Sequence, residues 1–200
     1  MRNERVRDMA YYAVFIAIIA IMTFIPSLGI IKIGVISITI IHVIVLIASF
    51  TMGKKGGLVA GLTMGILCLL RAWVMPINPD DLVFRNPLCA VLPRAIFGFV
   101  AGYVADFIVA KVKNKTLSTT SIVVSSILLT ALHSIITIPL IYLCASWMPE
   151  FESFIADNSI IAFLGATFAG NSIFEMIVAG IATAPIILVL RPVYLRGRKK

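Results

Sequence analysis

His42, Arg71, Arg94, His133, Asn171 and Glu175 stand inside otherwise apolar stretches of the chain, and Asn86 stands at the start of one. Two guanidinium forks can take carboxylates, while imidazoles, carboxamides and a carboxylate can exchange hydrogen bonds with hydroxyls and amides. Together they have the chemistry to grip a small polar molecule. Asn171 and Glu175 are four residues apart, so on a helix they share one face and can meet the same ligand. The histidines and the glutamate are also possible acids or bases, but no GxSxG, HExxH or paired-glutamate motif accompanies them. Each residue also has a structural alternative. Arg94 and Glu175 can form an internal ion pair, each histidine can be satisfied within the protein, and Arg71 can snorkel to an interface. Cys68, Cys89 and Cys144 are far apart and make no CxxC or Cys/His cluster, so packing is expected and no metal or disulfide is read from them.

The elements that must position these groups are membrane helices. Of the 200 residues, 60% are hydrophobic and 13% charged, with a mean hydropathy of +1.07. Soluble domains are about 45–50% apolar and 25% charged. At roughly 20 apolar residues per span, the chain has room for several helices and for no separate soluble domain. The whole chain, 1–200, therefore reads as one transmembrane domain. The start, MRNERVRD, leads into an apolar run without a small-residue cleavage site, so the first helix is expected to be retained.

Charge-free runs and Pro/Gly punctuation predict helices at about 9–26, 37–53, 57–76, 87–110, 118–147 and 171–190. Loops are expected at 27–37 and over the Pro76-Ile77-Asn78-Pro79-Asp80-Asp81 stretch. Residues 160–170 read as a partly buried approach to the last helix. Assigning the N-terminus, Lys54/Lys55, Lys111/Lys113/Lys115 and the C-terminus to one side collects 13 of the 17 basic residues there. By the positive-inside rule that side is cytoplasmic. The fold expected is an all-α integral membrane protein with six transmembrane helices and both termini cytoplasmic. The net charge of +8 then reports topology and contact with anionic lipid rather than nucleic acid. Asp106, near the cytoplasmic end of its helix, is expected to pair with nearby lysines.

Ionisable residues inside spans are costly and face a cavity, a partner or the interior. At a rise of about 1.5 Å per residue, the polar groups of five helices fall within roughly the outer 15 Å of the apolar core. Trp73, Trp147 and Tyr142 near that end suit an interfacial aromatic belt, with ring stacking on a ligand as the alternative. Helix 1 carries no charge in its span and repeats small residues at Ala10, Ala13, Ala17 and Ala20, a stripe that permits close approach of another helix.

In this setting the chain resembles the substrate-binding S components of energy-coupling factor (ECF) transporters, the bacterial vitamin-uptake family. The resemblance covers nearly the whole length. It rests on Ala13-x3-Ala17, on Ile41-His42-Val43 followed by Met52-Gly53-Lys54-Lys55-Gly56-Gly57, on Asn86-Pro87 leading to Leu92-Pro93-Arg94 and Phe97-Gly98, and on Asn171 with Glu175. Lys54 departs from it, since relatives often carry proline there. The resemblance implies a multi-pass subunit of the bacterial cell membrane that is not an enzyme and carries no cofactor. It would bind a vitamin through His42, Arg71, Asn86, Arg94, His133, Asn171 and Glu175. Its partners would be one membrane coupling subunit, met through Ala13 and Ala17, and two ATPases. Loops 27–37 and 77–86 would gate the pocket. Pantothenate, with a carboxylate for Arg94 or Arg71 and hydroxyls and an amide for Asn86, Asn171 and Glu175, is the first expectation. Riboflavin and pyridoxine-like vitamins come next, although Ala131-Leu132-His133-Ser134 departs from the pantothenate pattern. A self-sufficient secondary transporter or a small intramembrane enzyme are the competing classes, and dependence of uptake on a partner ATPase separates them.

Overall fold

The structure is a computed structural model that describes residues 2–25, 28–33, 36–76, 79–111, 115–152 and 159–196. Parts of the expected loops, of the basic Lys111–Lys115 turn, of the acidic loop at 149–159 and of the basic C-terminus lie outside them. Helix α1 spans Arg2–Phe24, and a two-stranded antiparallel hairpin follows, β1 at Ile30–Ile33 and β2 at Ile36–Thr39. Helix α2 runs Ile41–Val74. A 3-10 turn at Pro79–Arg85 leads into the short α3, Pro87–Ala90, and then α4, Leu92–Lys111. Helix α5 is Lys115–Ala145, and a second 3-10 turn covers Pro149–Phe151. Helix α6, Ile160–Thr167, passes through a π-helical turn, Phe168–Ser172, into α7, Ile173–Arg196.

Among the described residues, five helices are long and apolar enough to cross a membrane: 4–24, 41–74, 87–108, 119–145 and 160–196. The helix 41–74 is not one rod. Gly53 sits at φ 72°, ψ −154°, left-handed backbone that glycine adopts without a Cβ penalty. A Cβ placed on Gly57 would fall against the Ser49 hydroxyl, whereas residues eight apart in a straight helix are roughly 12 Å apart. The chain therefore folds back at Gly53, and Ile41–Met52 and Lys54–Val74 run as two antiparallel helices. Asp106 holds this corner, its carboxylate accepting the Lys54 backbone N–H at 3.3 Å. The Lys54 ammonium lies instead over the Tyr103 ring at 4.4 Å.

The second arm of α2 packs on α4 through glycine. A Cβ on Gly98 would meet the backbone of Gly57 and Gly61. In an apolar solvent, close backbone approach supplies the van der Waals contact that drives helix association. Phe15 and Ile19 of α1, Leu46 and Phe50 of α2, Phe97 of α4, Leu129 of α5 and Ile187 of α7 form the buried core around this pair. Where sequence suggested loops, the structure has the paired strands Ile30–Ile33 and Ile36–Thr39 and the 3-10 turn at Pro79–Arg85. The last helix is longer than expected, because 160–172 joins it as continuous helical chain with half-buried and exposed side chains, Ser172 alone being buried.

Candidate functional site

The hairpin, the start of α2, α3, the start of α4 and the end of α5 lie at one end of the bundle, opposite the Gly53 corner. There the structure brings four of the expected residues together. The His42 and His133 rings stack with centroids 6.2 Å apart and planes 12° from parallel. Phe97 packs against His133 at 4.8 Å and against His42 at 6.4 Å. Nε2 of His133 is buried without a hydrogen-bond partner among the described residues, and the His42 ring lies beside Thr39 and Glu175. Orphaned buried polar atoms are uncommon, and a ligand group in hydrogen-bond reach is one way to satisfy them.

Arg94 stands one helical turn before Phe97 and is 6% exposed. Its Nη1 donates to the carbonyls of Cys89 at 2.8 Å and Ala90 at 2.9 Å. Its guanidinium lies over the Phe84 ring at 4.8 Å. Those carbonyls end the four-residue α3 and fix the orientation of the fork. Nε is buried without a partner, and no carboxylate among the described residues pairs with Arg94. The Nε/Nη2 edge, the edge that takes a carboxylate bidentately, is therefore not occupied by any described residue.

Glu175 opens α7 and does not form the ion pair with Arg94 considered from sequence. Its Oε1 accepts the Thr39 backbone N–H at 2.7 Å. Arg71 does not snorkel either. It is buried, and its Nη2 donates to both oxygens of Asp81, at 2.9 and 2.8 Å. Its charge is thus matched within the protein, which leaves Arg94 as the better carboxylate receptor of the two. Arg85 braces the same corner, its Nε donating to the Ala72 carbonyl at 3.0 Å and its guanidinium lying over Trp73 at 5.1 Å.

Asn86 caps α3, its Oδ1 accepting the Leu88 N–H at 2.9 Å, and Pro87 follows at the first helical position, where its missing N–H costs nothing. Asn171 lies in the π-helical turn one helical turn from Glu175. Trp73 and Trp147 are 62% and 60% exposed, outside the buried core. Tyr142 packs on Phe163 at 5.5 Å. On α1 the buried face is Phe15, Ile19 and Thr23, and Ala10, Ala13 and Ala17 face outwards. Sequence reasoning missed Asp81, Phe97 and Thr137, the last a buried α5 hydroxyl one turn from His133. The i,i+4 spacing to His133 was the available signal for Thr137.

The family model described as "ECF transporter, substrate-specific component" matches residues 7–187. The chain belongs to this family. As an ECF S component it is the substrate-binding subunit of a vitamin transporter, a multi-pass membrane protein and not an enzyme. It is 28% identical over 197 residues to a protein named Pantothenate transporter PanT from Leuconostoc mesenteroides subsp. mesenteroides, a match covering 96% of each chain.

Proposed function

We propose that this S component captures pantothenate for an ATP-driven ECF transporter of the bacterial cytoplasmic membrane. The observation that carries the vitamin assignment is Arg94, a buried guanidinium held by two carbonyls through Nη1, with Nε unpartnered. A buried charge without a counter-ion is costly, and a ligand carboxylate removes that cost. Pantothenate joins such a carboxylate to an amide and two hydroxyls, groups that suit His42, His133, Asn171 and the second oxygen of Glu175, with Asn86 at the rim. Likeness to a relative named for pantothenate supports the same choice. Arg71 serves this site by holding the Asp81 segment in place.

In this reading the chain is a single substrate-binding domain over 1–200 that crosses the membrane six times, counting the two arms of α2 separately, with both termini cytoplasmic. The exposed Ala13/Ala17 face of α1 meets one membrane coupling subunit, which is driven by two ATPases. The test is uptake of labelled pantothenate into proteoliposomes. Uptake is expected only when the coupling subunit, both ATPases and ATP are present. Uptake by the chain alone would make it a secondary transporter and overturn the assembly.

A further inference from the structure

Hydroxyls buried in apolar helices usually donate to the carbonyl one turn back. Thr23 does so to Ile19 at 2.7 Å and Ser49 to Val45 at 2.7 Å. Thr137 does not. Its residue is 6% exposed and its Oγ1 is buried without a partner. His133, four residues earlier on the same face of α5, is also 6% exposed with Nε2 unpartnered. The two residues thus stand about 6 Å apart along the helix axis.

Their level in the bundle can be read from Phe97, which packs on His133. Helices α4 and α5 run antiparallel, since Cys89 before α4 packs with Cys144 at the end of α5. Stepping from the Phe97–His133 contact towards the hairpin end therefore reaches Arg94 on α4 and Thr137 on α5, each about one turn away. Thr137 and Arg94 thus lie on the same side of the Phe97–His133 contact, the Arg94 guanidinium being carried further towards the hairpin end by its bonds to the Cys89 and Ala90 carbonyls.

Resting on the reading of this site as a carboxylate pocket, we propose that Thr137, with His133, is a specificity-determining contact for the hydrogen-bonding group that follows the carboxylate in the ligand. The substrate class is then a carboxylic acid bearing an amide or hydroxyl a few bonds away. A plain aliphatic acid would satisfy Arg94 and leave Thr137 and His133 buried and unpaired, which is how a polar site rejects an apolar analogue. The other orphaned hydroxyls, those of Thr51, Ser126, Thr130 and Thr183, lie on the Gly53 side of the histidine layer and have no part in this contact.

The test is the Kd of labelled pantothenate for purified wild type, Thr137→Val, Thr137→Ser and Thr183→Val, with panthenol, the alcohol analogue lacking the carboxylate, as competitor. Thr137→Val should weaken pantothenate and panthenol alike, by roughly two- to tenfold, the range of one net hydrogen bond. Thr137→Ser should recover most of the loss, and Thr183→Val should bind as wild type. Unchanged binding by Thr137→Val, or equal losses in the Val and Ser variants with matching losses of thermal stability, would overturn the contact while leaving the pocket standing. No pantothenate binding by folded wild type would overturn the vitamin assignment and this contact together.

Discussion

The Glu175 carboxylate accepts the backbone N–H of Thr39 at 2.7 Å, tying the first turn of α7 to the last residue of the hairpin. Three residues later the chain reaches His42, so this bond fixes the hairpin relative to the site. A hydrogen bond to a charged group is worth about 1.5–3 kcal/mol. Glu175→Ala should therefore speed hydrogen exchange of the Thr39 amide by roughly ten- to a hundredfold, and Glu175→Gln, which keeps an acceptor, by much less. Equal exchange in wild type and Glu175→Ala would show that the bond does not hold the hairpin.

Arg71 and Asp81 form a buried pair, with side chains 8% and 12% exposed. Removing one member of such a pair strands the other, at a cost of about 3–5 kcal/mol, whereas replacing both with apolar residues is often neutral. Arg71→Met and Asp81→Leu should each lower the melting temperature strongly. The double variant should recover most of it and still bind pantothenate. Loss of binding in a folded double variant would make Arg71 a ligand contact.

Gly98 leaves no room for a side chain against Gly57 and Gly61, and Gly53 needs left-handed backbone. Gly98→Val should prevent α2 and α4 from closing and abolish folded protein. Gly53→Ala should cost about 1–3 kcal/mol, the penalty for an L residue in that conformation, and its Cβ would also press on the Asp106 carboxylate. Thermal denaturation in detergent measures both, and a stable Gly98→Val would contradict the packing described.

Ala13 and Ala17 are exposed on a helix whose buried face is elsewhere. Ala13→Trp and Ala17→Trp should therefore leave pantothenate affinity within about twofold, inside the few tenths of a kcal/mol typical of surface substitutions. They should abolish co-purification with the coupling subunit and ATP-driven uptake. Normal assembly of both variants would remove this face from the partner interface.

Much of the helical arrangement could be read from the sequence, because charge-free runs between Pro/Gly turns define spans. The expectation of one polar layer, His42, Arg71, Arg94, His133, Asn171 and Glu175, comes from helix rise and alternating topology, and the structure stacks His42 on His133 within it. Pairing could not be read in this way. Arg71 finds Asp81 across a ten-residue excursion that ends in a 3-10 turn, and Glu175 finds a backbone N–H 136 residues away. Neither partner has a local pattern. The hairpin left a faint trace, Ile30-Ile31-Lys32-Ile33 and Ile36-Ser37-Ile38-Thr39 being β-branched and partly alternating, but its strands are too short to stand out beside apolar helices. Thr137 was passed over because serines and threonines are ordinary in membrane helices. The missing back-bond separates it from Thr23 and Ser49, and its place beyond His133 towards the hairpin end separates it from Thr51, Ser126, Thr130 and Thr183.

Equilibrium binding of labelled pantothenate to purified wild type and Arg94→Gln tests the carboxylate site at Arg94 most directly. The expected result is tight binding by wild type and a loss of at least about thirtyfold in a folded Arg94→Gln, the range for truncating a buried charge pair, with panthenol binding little changed between them. Equal pantothenate affinity in both proteins would contradict the carboxylate site at Arg94.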